Sequence, residues 1–270
     1  MTLAFTKMTG AGNDFVCVNN RAGTVKLTRR RIAALCHRQF GIGADGLLAL
    51  EKATRQGVDC RMRYYNSDGG EAEMCGNGAR CFARFAARVL RWKKPFLRIQ
   101  TKAGLVTAEF SGEEVRVGLT PPGPISGPLH LVAGGGELDV WSVNTGVPHA
   151  VVFVEDAEAV DVVTLGRALR FHERFAPKGT NVNFVQRPAK GPLLVRTYER
   201  GVEVETLACG TGVAASALTA ARVFGLTSPV RLRVAGGAVL EVGFEPSGDG
   251  FANVTLKGPA TFVYEGTIDV

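Results

Sequence analysis

Two short stretches hold the residues best suited to chemistry: "MCGNGARC" at 74–81 and "ACGTGVAA" at 208–215. Each sets a cysteine directly before Gly-x-Gly, at the start of a run that reads as a helix. A helix N-terminus presents unpaired N–H groups and the positive end of the helix dipole, so it favours thiolate. Glycines in the first turn clear side chains away and let an anion approach those donors. The dipole contributes only about 0.3–1 kcal/mol, under one pK unit, against an ordinary thiol value near about 8.5. Two neighbouring thiolates also repel, so the favoured working state is one thiolate with one thiol. That pair suits two-base chemistry, in which one group takes a proton from a tetrahedral carbon and the other delivers one to the opposite face. Charge then flows into a carboxylate seated on backbone N–H groups. The competing reading is inert packing, the usual fate of a lone cysteine at a helix start. "GNGARC" is also short of a dinucleotide fingerprint, since the third glycine is missing.

The repetition favours chemistry, and it extends beyond the cysteines. "TGAGNDFVCV" from Thr9 matches "TGVPHAVVFV" from Thr145, and "TRRRIAALCHRQF" from Thr28 matches "TLGRALRFHERF" from Thr164. "GIGADGLL" from Gly41 matches "GTNVNFV" from Gly179, Cys75 matches Cys209, and "LRIQTKAG" from Leu97 matches "VRLRVAGG" from Val230. Five segments in one order, drifting by only a few residues, describe a duplicated domain. The expected fold is α/β (α+β), with two pseudo-symmetric domains, each a mostly antiparallel sheet wrapped around a central helix. Their expected bounds are 1–120 and 129–260, joined by the Pro/Gly-rich linker "PPGPISGP" at 121–128. Equivalent points of such a pair are expected to face one cleft, with both thiols pointing into it.

Local signals fill in the elements. Thr28 and Thr164 are the expected N-caps of the first helix in each half. "YYNSDGGEAEM" carries a hairpin signal. The helix after Cys209 is apolar nearly all round and is expected to be buried. The helix after Cys75 carries Arg80, Arg84 and Arg88 at spacing four, which predicts a polar stripe and less complete burial.

Composition narrows the class. The 270 residues are 46% hydrophobic and 21% charged, ordinary for a globular protein. No secretory signal is expected, and "GTGVAASALTAARVFGL" at 210–226 is too short and interrupted to span a bilayer. The expectation is a cytoplasmic protein with no membrane partner. The cysteines at 17, 36, 60, 75, 81 and 209 are then read as reduced thiols, with Cys17 and Cys36 in apolar settings. No C-x-x-C occurs, and histidines 37, 130, 149 and 172 lack paired-ligand spacing, so no metal site is expected. The net charge of +7 is scattered apart from short clusters at Arg29–Arg31 and Arg91–Lys94, and no nucleic-acid signature accompanies it.

"MTGAGNDFV", "GIGADGLL", "YYNSDGGEAEMCGNGARC", "NTGVPHAVVF", "GTNVNFV" and "RTYERGVEVETLACGTG" together resemble the diaminopimelate epimerase family, from about residue 5 to the C-terminus. The resemblance implies a cofactor-independent enzyme that interconverts LL- and meso-2,6-diaminopimelate on the route to lysine and peptidoglycan. It also implies a homodimer, and a C-terminal strand at 261–270 that returns to pack with the first domain. By position, Cys75 and Cys209 match the family's acid/base pair. Asn13, Asn66, Asn181, Glu199 and Arg200 match substrate-binding residues, and Gly76, Asn77, Gly210 and Thr211 match the helix-end groups that hold the reacting carboxylate. His149 matches a residue near the thiols, and Glu199 one that also tunes them.

These types suit a substrate with a second amino-acid end, since Arg200 can fork a carboxylate, Glu199 can take an ammonium, and asparagine serves either. Considered singly, Asn66 reads as a turn residue, Asn13 as a cap, His149 as a loop histidine and Glu199–Arg200 as an exposed hairpin tip. Two positions depart from the pattern: Val147 stands where many members carry asparagine, and Gly46 where some carry glutamine. The rival readings are a proline racemase or hydroxyproline epimerase-like enzyme, a thiol redox protein, and a catalytically dead amino-acid-binding module. "YERG" and "GNDF" favour diaminopimelate, and a redox role leaves the glycine seats unexplained.

Overall fold

The computed structural model describes residues 2–269. The chain forms two compact units, one running to Gly118 and resuming at Gly258, the other spanning Leu119–Lys257. In the first, β1 (Thr2–Gly10) and β2 (Asn13–Asn19) precede a short helix, α1 (Arg29–Cys36). Next come β3 (Gly46–Glu51), β4 (Cys60–Asn66), the two-residue β5 (Glu71–Ala72) and a long helix, α2 (Gly76–Leu90). β6 (Phe96–Thr101), β7 (Gly104–Ser111) and β8 (Glu114–Gly118) follow.

The second unit opens with β9 (Ser126–Ala133), β10 (Gly136–Asn144), β11 (Pro148–Val154) and α3 (Val162–Arg170). It continues with β12 (Asn181–Gln186), β13 (Leu193–Tyr198), β14 (Glu205–Thr206) and the long helix α4 (Gly210–Phe224). β15 (Val230–Val234), β16 (Val239–Ser247) and β17 (Gly250–Pro259) lead to the last strand, β18 (Thr261–Asp269).

The two units share one topology. Strand neighbours in the first run β18–β1–β2–β3–β4–β6–β7–β8, with β5 on β4, parallel only at β2–β3 and β4–β6. In the second they run β9–β10–β11–β12–β13–β15–β16–β17, with β14 on β13, parallel only at β11–β12 and β13–β15. The duplication in the sequence is therefore a duplication of strand order. The leading place is filled by β9 in one unit and by the C-terminal β18, antiparallel to β1, in the other.

Alternation of side chains along each strand gives every sheet two covered faces. Val16, Val18, Leu47 and Ala49 pack with Ile32 and Leu35 of α1, whereas Phe15 and Leu48 line the place where Gly78 of α2 comes down. Likewise Ala150, Val152, Val182, Phe184 and Tyr198 pack with Val162 and Leu169 of α3. On the other face, Phe153 meets Phe224 of α4 with ring centroids 4.7 Å apart. Each sheet thus lies between one short and one long helix.

Three expectations change. Thr28 caps α1, accepting from Arg31 N–H, but α3 is capped by Asp161, whose Oδ1 accepts from Thr164 N–H at 3.0 Å. Aspartate is at least as good a cap as threonine and stands three residues earlier, so the helix begins there. Arg80 does not belong to an exposed stripe. It is fully buried and donates to Asn77 Oδ1 (2.9 Å), Pro259 O (3.3 Å) and Gly76 O (3.4 Å), while Arg84 is half-buried and Arg88 exposed. The segment read as a linker ends inside β9, which takes Ser126 onward. The hairpin at 64–72 forms, with Tyr64 opposite Ala72 and Tyr65 opposite Glu71. Among the described residues no helix is long and apolar enough to cross a membrane.

Candidate active site

Cys75 is the N-cap of α2, in extended conformation, and its Sγ accepts the Gly78 N–H at 3.4 Å. The same sulfur lies 3.7 Å from Asn13 Oδ1 at the start of β2. Asn13 has its amide orientation dictated from behind: Nδ2 donates to Asp45 Oδ2 at 2.6 Å, and a carboxylate only accepts. The carbonyl of Asn13 must therefore face the sulfur. Asp45 is in turn paired with Arg38 at 2.7 Å, and Arg38 also holds Asp14 at 3.0 Å. Lys7 completes the cluster with Asp14 at 2.8 Å and a further bond to Gly43 O. Burial pushes the Asp14 carboxyl up, but hydrogen bonds from Arg38, Lys7 and the Asp45 N–H outweigh it and hold the group at about 2.

Gly76 and Asn77 form the first turn of α2, with Asn77 Oδ1 fixed by Arg80. Asn66 ends β4, exposed, where its N–H donates to Gly70 O at 2.9 Å across the turn. Gly46 sits opposite it on β3. A Cβ at position 46 would stand 2.5 Å from Tyr65 O and 2.8 Å from Tyr64 Cε2, so this backbone has no room for a side chain there.

In the second unit, Cys209 takes the same N-cap position on α4, with its Sγ 3.5 Å from Thr211 Oγ1. Gly210 and Thr211 make the first turn, and Thr145 Oγ1 anchors it by donating to Thr211 O at 2.9 Å. His149 is a strand residue on β11, not a loop residue, and is fully buried. Burial, with Arg200 adding to it, pulls His149 down to about 3, so the imidazole is neutral at physiological pH. Asn181 is its neighbour on β12. Asn181 donates to Pro148 O at 3.1 Å and accepts the Arg200 N–H at 2.8 Å. Glu199 and Arg200 leave β13 in a half-buried turn, closed by Glu199 N–H to Val204 O (3.1 Å) and Glu203 N–H to Glu199 O (2.8 Å).

The structure thus gathers Cys75 with Asn13, Gly76 and Asn77 at the head of α2, and Cys209 with Gly210 and Thr211 at the head of α4. Asn181 and Arg200 form a third linked group, with Asn181 paired to His149 across the strands. Three contributors escaped the sequence reading: Asp45 behind Asn13, Thr145 under Thr211, and Asn183. Asn183 stands two residues after Asn181 in "GTNVNFV", and that spacing puts both on one face of the strand. The remaining cysteines are core thiols. Burial pushes Cys36, Cys60 and Cys81 up to about 12 and raises Cys17 as well. Among the described residues no cluster of three or more His, Cys, Asp or Glu is placed to hold a metal ion.

The fold has solved counterparts. A Bacillus anthracis phenazine biosynthesis protein of the PhzF family superposes with a TM-score of 0.77 at 16% identity, covering 100% of both chains. A hydroxyproline epimerase from Agrobacterium vitis, solved with bound trans-4-hydroxy-L-proline, gives 0.76 at 17%, covering 99% of this chain and 91% of that one. The chain therefore has the duplicated α/β fold of the PhzF and racemase type, and its likeness to proline-type enzymes is a distant one of fold. In sequence, the model of the diaminopimelate epimerase family matches residues 5–123 and 141–263. Diaminopimelate epimerase of Chlorobaculum tepidum is 43% identical over 97% of this chain and 99% of its own. The Aquifex aeolicus enzyme of that name is also 43% identical, over 98% of each. This chain belongs to the diaminopimelate epimerase family and is an isomerase.

Proposed function

We propose that this protein interconverts LL- and meso-2,6-diaminopimelate by two-base proton transfer at the α-carbon, with Cys75 and Cys209 as the acid/base pair and no cofactor. One observation carries the reading: each of two units of matching strand order places a cysteine at the N-cap position of its long helix, followed by Gly-x-Gly. Family membership supplies the substrate class.

One cysteine, as thiolate, takes the α-proton and becomes S–H. The electron pair left on carbon spreads into the carboxylate, and the other cysteine releases its S–H proton to the opposite face and becomes the thiolate. The reverse reaction exchanges the two roles. First-turn N–H groups of Gly76, Asn77, Gly210 and Thr211 hold the carboxylate where its charge grows. At the distal end Arg200 takes the carboxylate as a fork and Glu199 the ammonium, with Asn13, Asn66 and Asn181 completing the contacts. Asn13 turns its carbonyl toward Cys75 because Asp45 holds its amide nitrogen from the other side. His149 and Glu199 tune the thiols. The protein works in the cytoplasm as a homodimer, on the route to lysine and peptidoglycan.

The test is turnover of purified protein with LL-diaminopimelate, L-proline and 4-hydroxyproline, alongside Cys75→Ala and Cys209→Ala. The expected result is epimerisation of diaminopimelate alone, abolished by either substitution while the fold persists. Turnover of proline in preference to diaminopimelate, or normal turnover by either cysteine variant, would overturn it.

A further inference from the structure

Asn183 and His149 form a buried polar pair on the sheet face that looks toward α4, and every polar atom but one has a partner. Asn183 Nδ2 donates to Ala150 O at 2.9 Å and lies 3.1 Å from His149 Nδ1, while its Oδ1 accepts from Thr197 Oγ1 at 3.0 Å. Turning the amide over would set two oxygens together at Ala150, so the nitrogen must face the imidazole. His149 Nδ1 is then an acceptor, and a neutral imidazole that accepts at Nδ1 carries its proton on Nε2. His149 Nε2 is the exception: it is buried and has no hydrogen-bond partner among the described residues. A buried donor left unpaired is costly unless something arrives to use it.

The sister unit shows that the fold does not require this pair. Gly78 of α2 comes down on Phe15 Cε1 and Leu48 Cδ2, where a Cβ would sit 3.4 Å from each. Gly212 of α4 comes down instead on Asn183, whose Oδ1 would lie 2.3 Å from a Cβ. The strand registers agree: Phe15 pairs with Gly46 on β3 as His149 pairs with Asn181 on β12, two residues before Leu48 and Asn183 respectively. Hydrocarbon builds this corner in one copy, and amide with imidazole builds it in the other.

We infer that Asn183 is a positioning residue that fixes His149 as the Nε2–H tautomer, a hydrogen-bond donor held for an anionic acceptor, carboxylate or thiolate, in the substrate complex. The catalytic consequence rests on the function proposed above; the tautomer does not. His149 then acts by donating to charge and not by accepting a proton. Burial and the Arg200 guanidinium keep it neutral, which preserves Nδ1 as an acceptor.

The first measurement is 15N NMR of histidine-labelled protein at pH 7, with His149→Gln to assign the resonance. Protonated Nε2 with unprotonated Nδ1 is expected; an Nδ1–H tautomer or an imidazolium would overturn the inference. The second is turnover of Asn183→Leu, which copies the sister unit and keeps the volume filled. Its kcat should fall on the order of a hundredfold with KM little changed, whereas an undiminished kcat would overturn the positioning role. The third compares His149→Gln, which keeps a terminal N–H donor, with His149→Ala. Partial retention by glutamine supports donation, and equal loss in both contradicts it. If the unsubstituted protein does not turn over diaminopimelate, the functional reading fails, and the spectrum still decides the tautomer.

Discussion

Alanine at Gly212 and alanine at Gly78 alter the same place in the two copies, and the structure assigns them different costs. At Gly212 the new Cβ would stand 2.3 Å from Asn183 Oδ1. Asn183 cannot swing aside without losing its bonds to Ala150 O and Thr197 Oγ1. Overpacking of this kind costs about 1–3 kcal/mol, and each buried hydrogen bond given up adds about 1 kcal/mol. Alanine returns roughly 0.5–1 kcal/mol through its better helix propensity, which leaves a net loss on the order of 2 kcal/mol. At Gly78 the nearest atoms, Cys75 Cβ, Leu48 Cδ2 and Phe15 Cε1, are all carbons at 3.4 Å, an ordinary contact. There the propensity gain and slight crowding leave Gly78→Ala within about 1 kcal/mol of the unsubstituted protein. Urea denaturation followed by circular dichroism measures both. Equal losses in the two variants, or a Gly212→Ala protein as stable as its parent, would refute the reasoning from the Asn183 amide.

Stability should fall on acidification in a way that His149 partly controls. Its folded value of about 3 lies below the unfolded value near 6.5, so below about pH 6.5 the unfolded chain binds the proton and the folded one does not. The loss approaches about 1.4 kcal/mol per pH unit and continues until pH nears the folded value; His149→Gln should show a correspondingly flatter dependence of the urea midpoint between pH 6.5 and 5, and identical slopes would contradict the assignment. Asp45→Ala releases the Asn13 amide and should lower kcat/KM about tenfold, the equivalent of one hydrogen bond, while Asp45→Asn, which keeps an acceptor, retains most of the activity. The exposed Arg38–Asp45 pair adds under about 1 kcal/mol to stability, so an Asp45→Ala protein as active as its parent would remove Asp45 from the account.

The architecture was legible where the chain repeats itself. Two cysteines before Gly-x-Gly and five matched segments anticipated a duplicated α/β fold, and the matching strand orders follow from it. What escaped is what depends on three-dimensional neighbours. Asp161 displaced Thr164 as a cap because both types suit the position and only the start of the helix decides. Arg80 looked like a surface residue by spacing, yet the carbonyls of Gly76 and Pro259 and the Asn77 amide receive it inside. Aligning "GIGADGLL" with "GTNVNFV" glycine on glycine set Asp45 against Asn183, whereas the structure sets Leu48 there. The apolar corner of one copy and the polar corner of the other could not be told from a match of residue types. Gly212 shows the same limit: the sequence explains it by anion access, and the structure adds an amide packed against it.

Epimerisation of LL-diaminopimelate run in deuterium oxide puts the two-thiol claim to its most direct trial. If one cysteine removes the proton and the other supplies its replacement, newly formed meso product carries solvent deuterium while recovered LL substrate carries little at early conversion. Heavy early labelling of the recovered substrate would contradict the account, because it requires a single base that returns an exchanged proton to the face it came from.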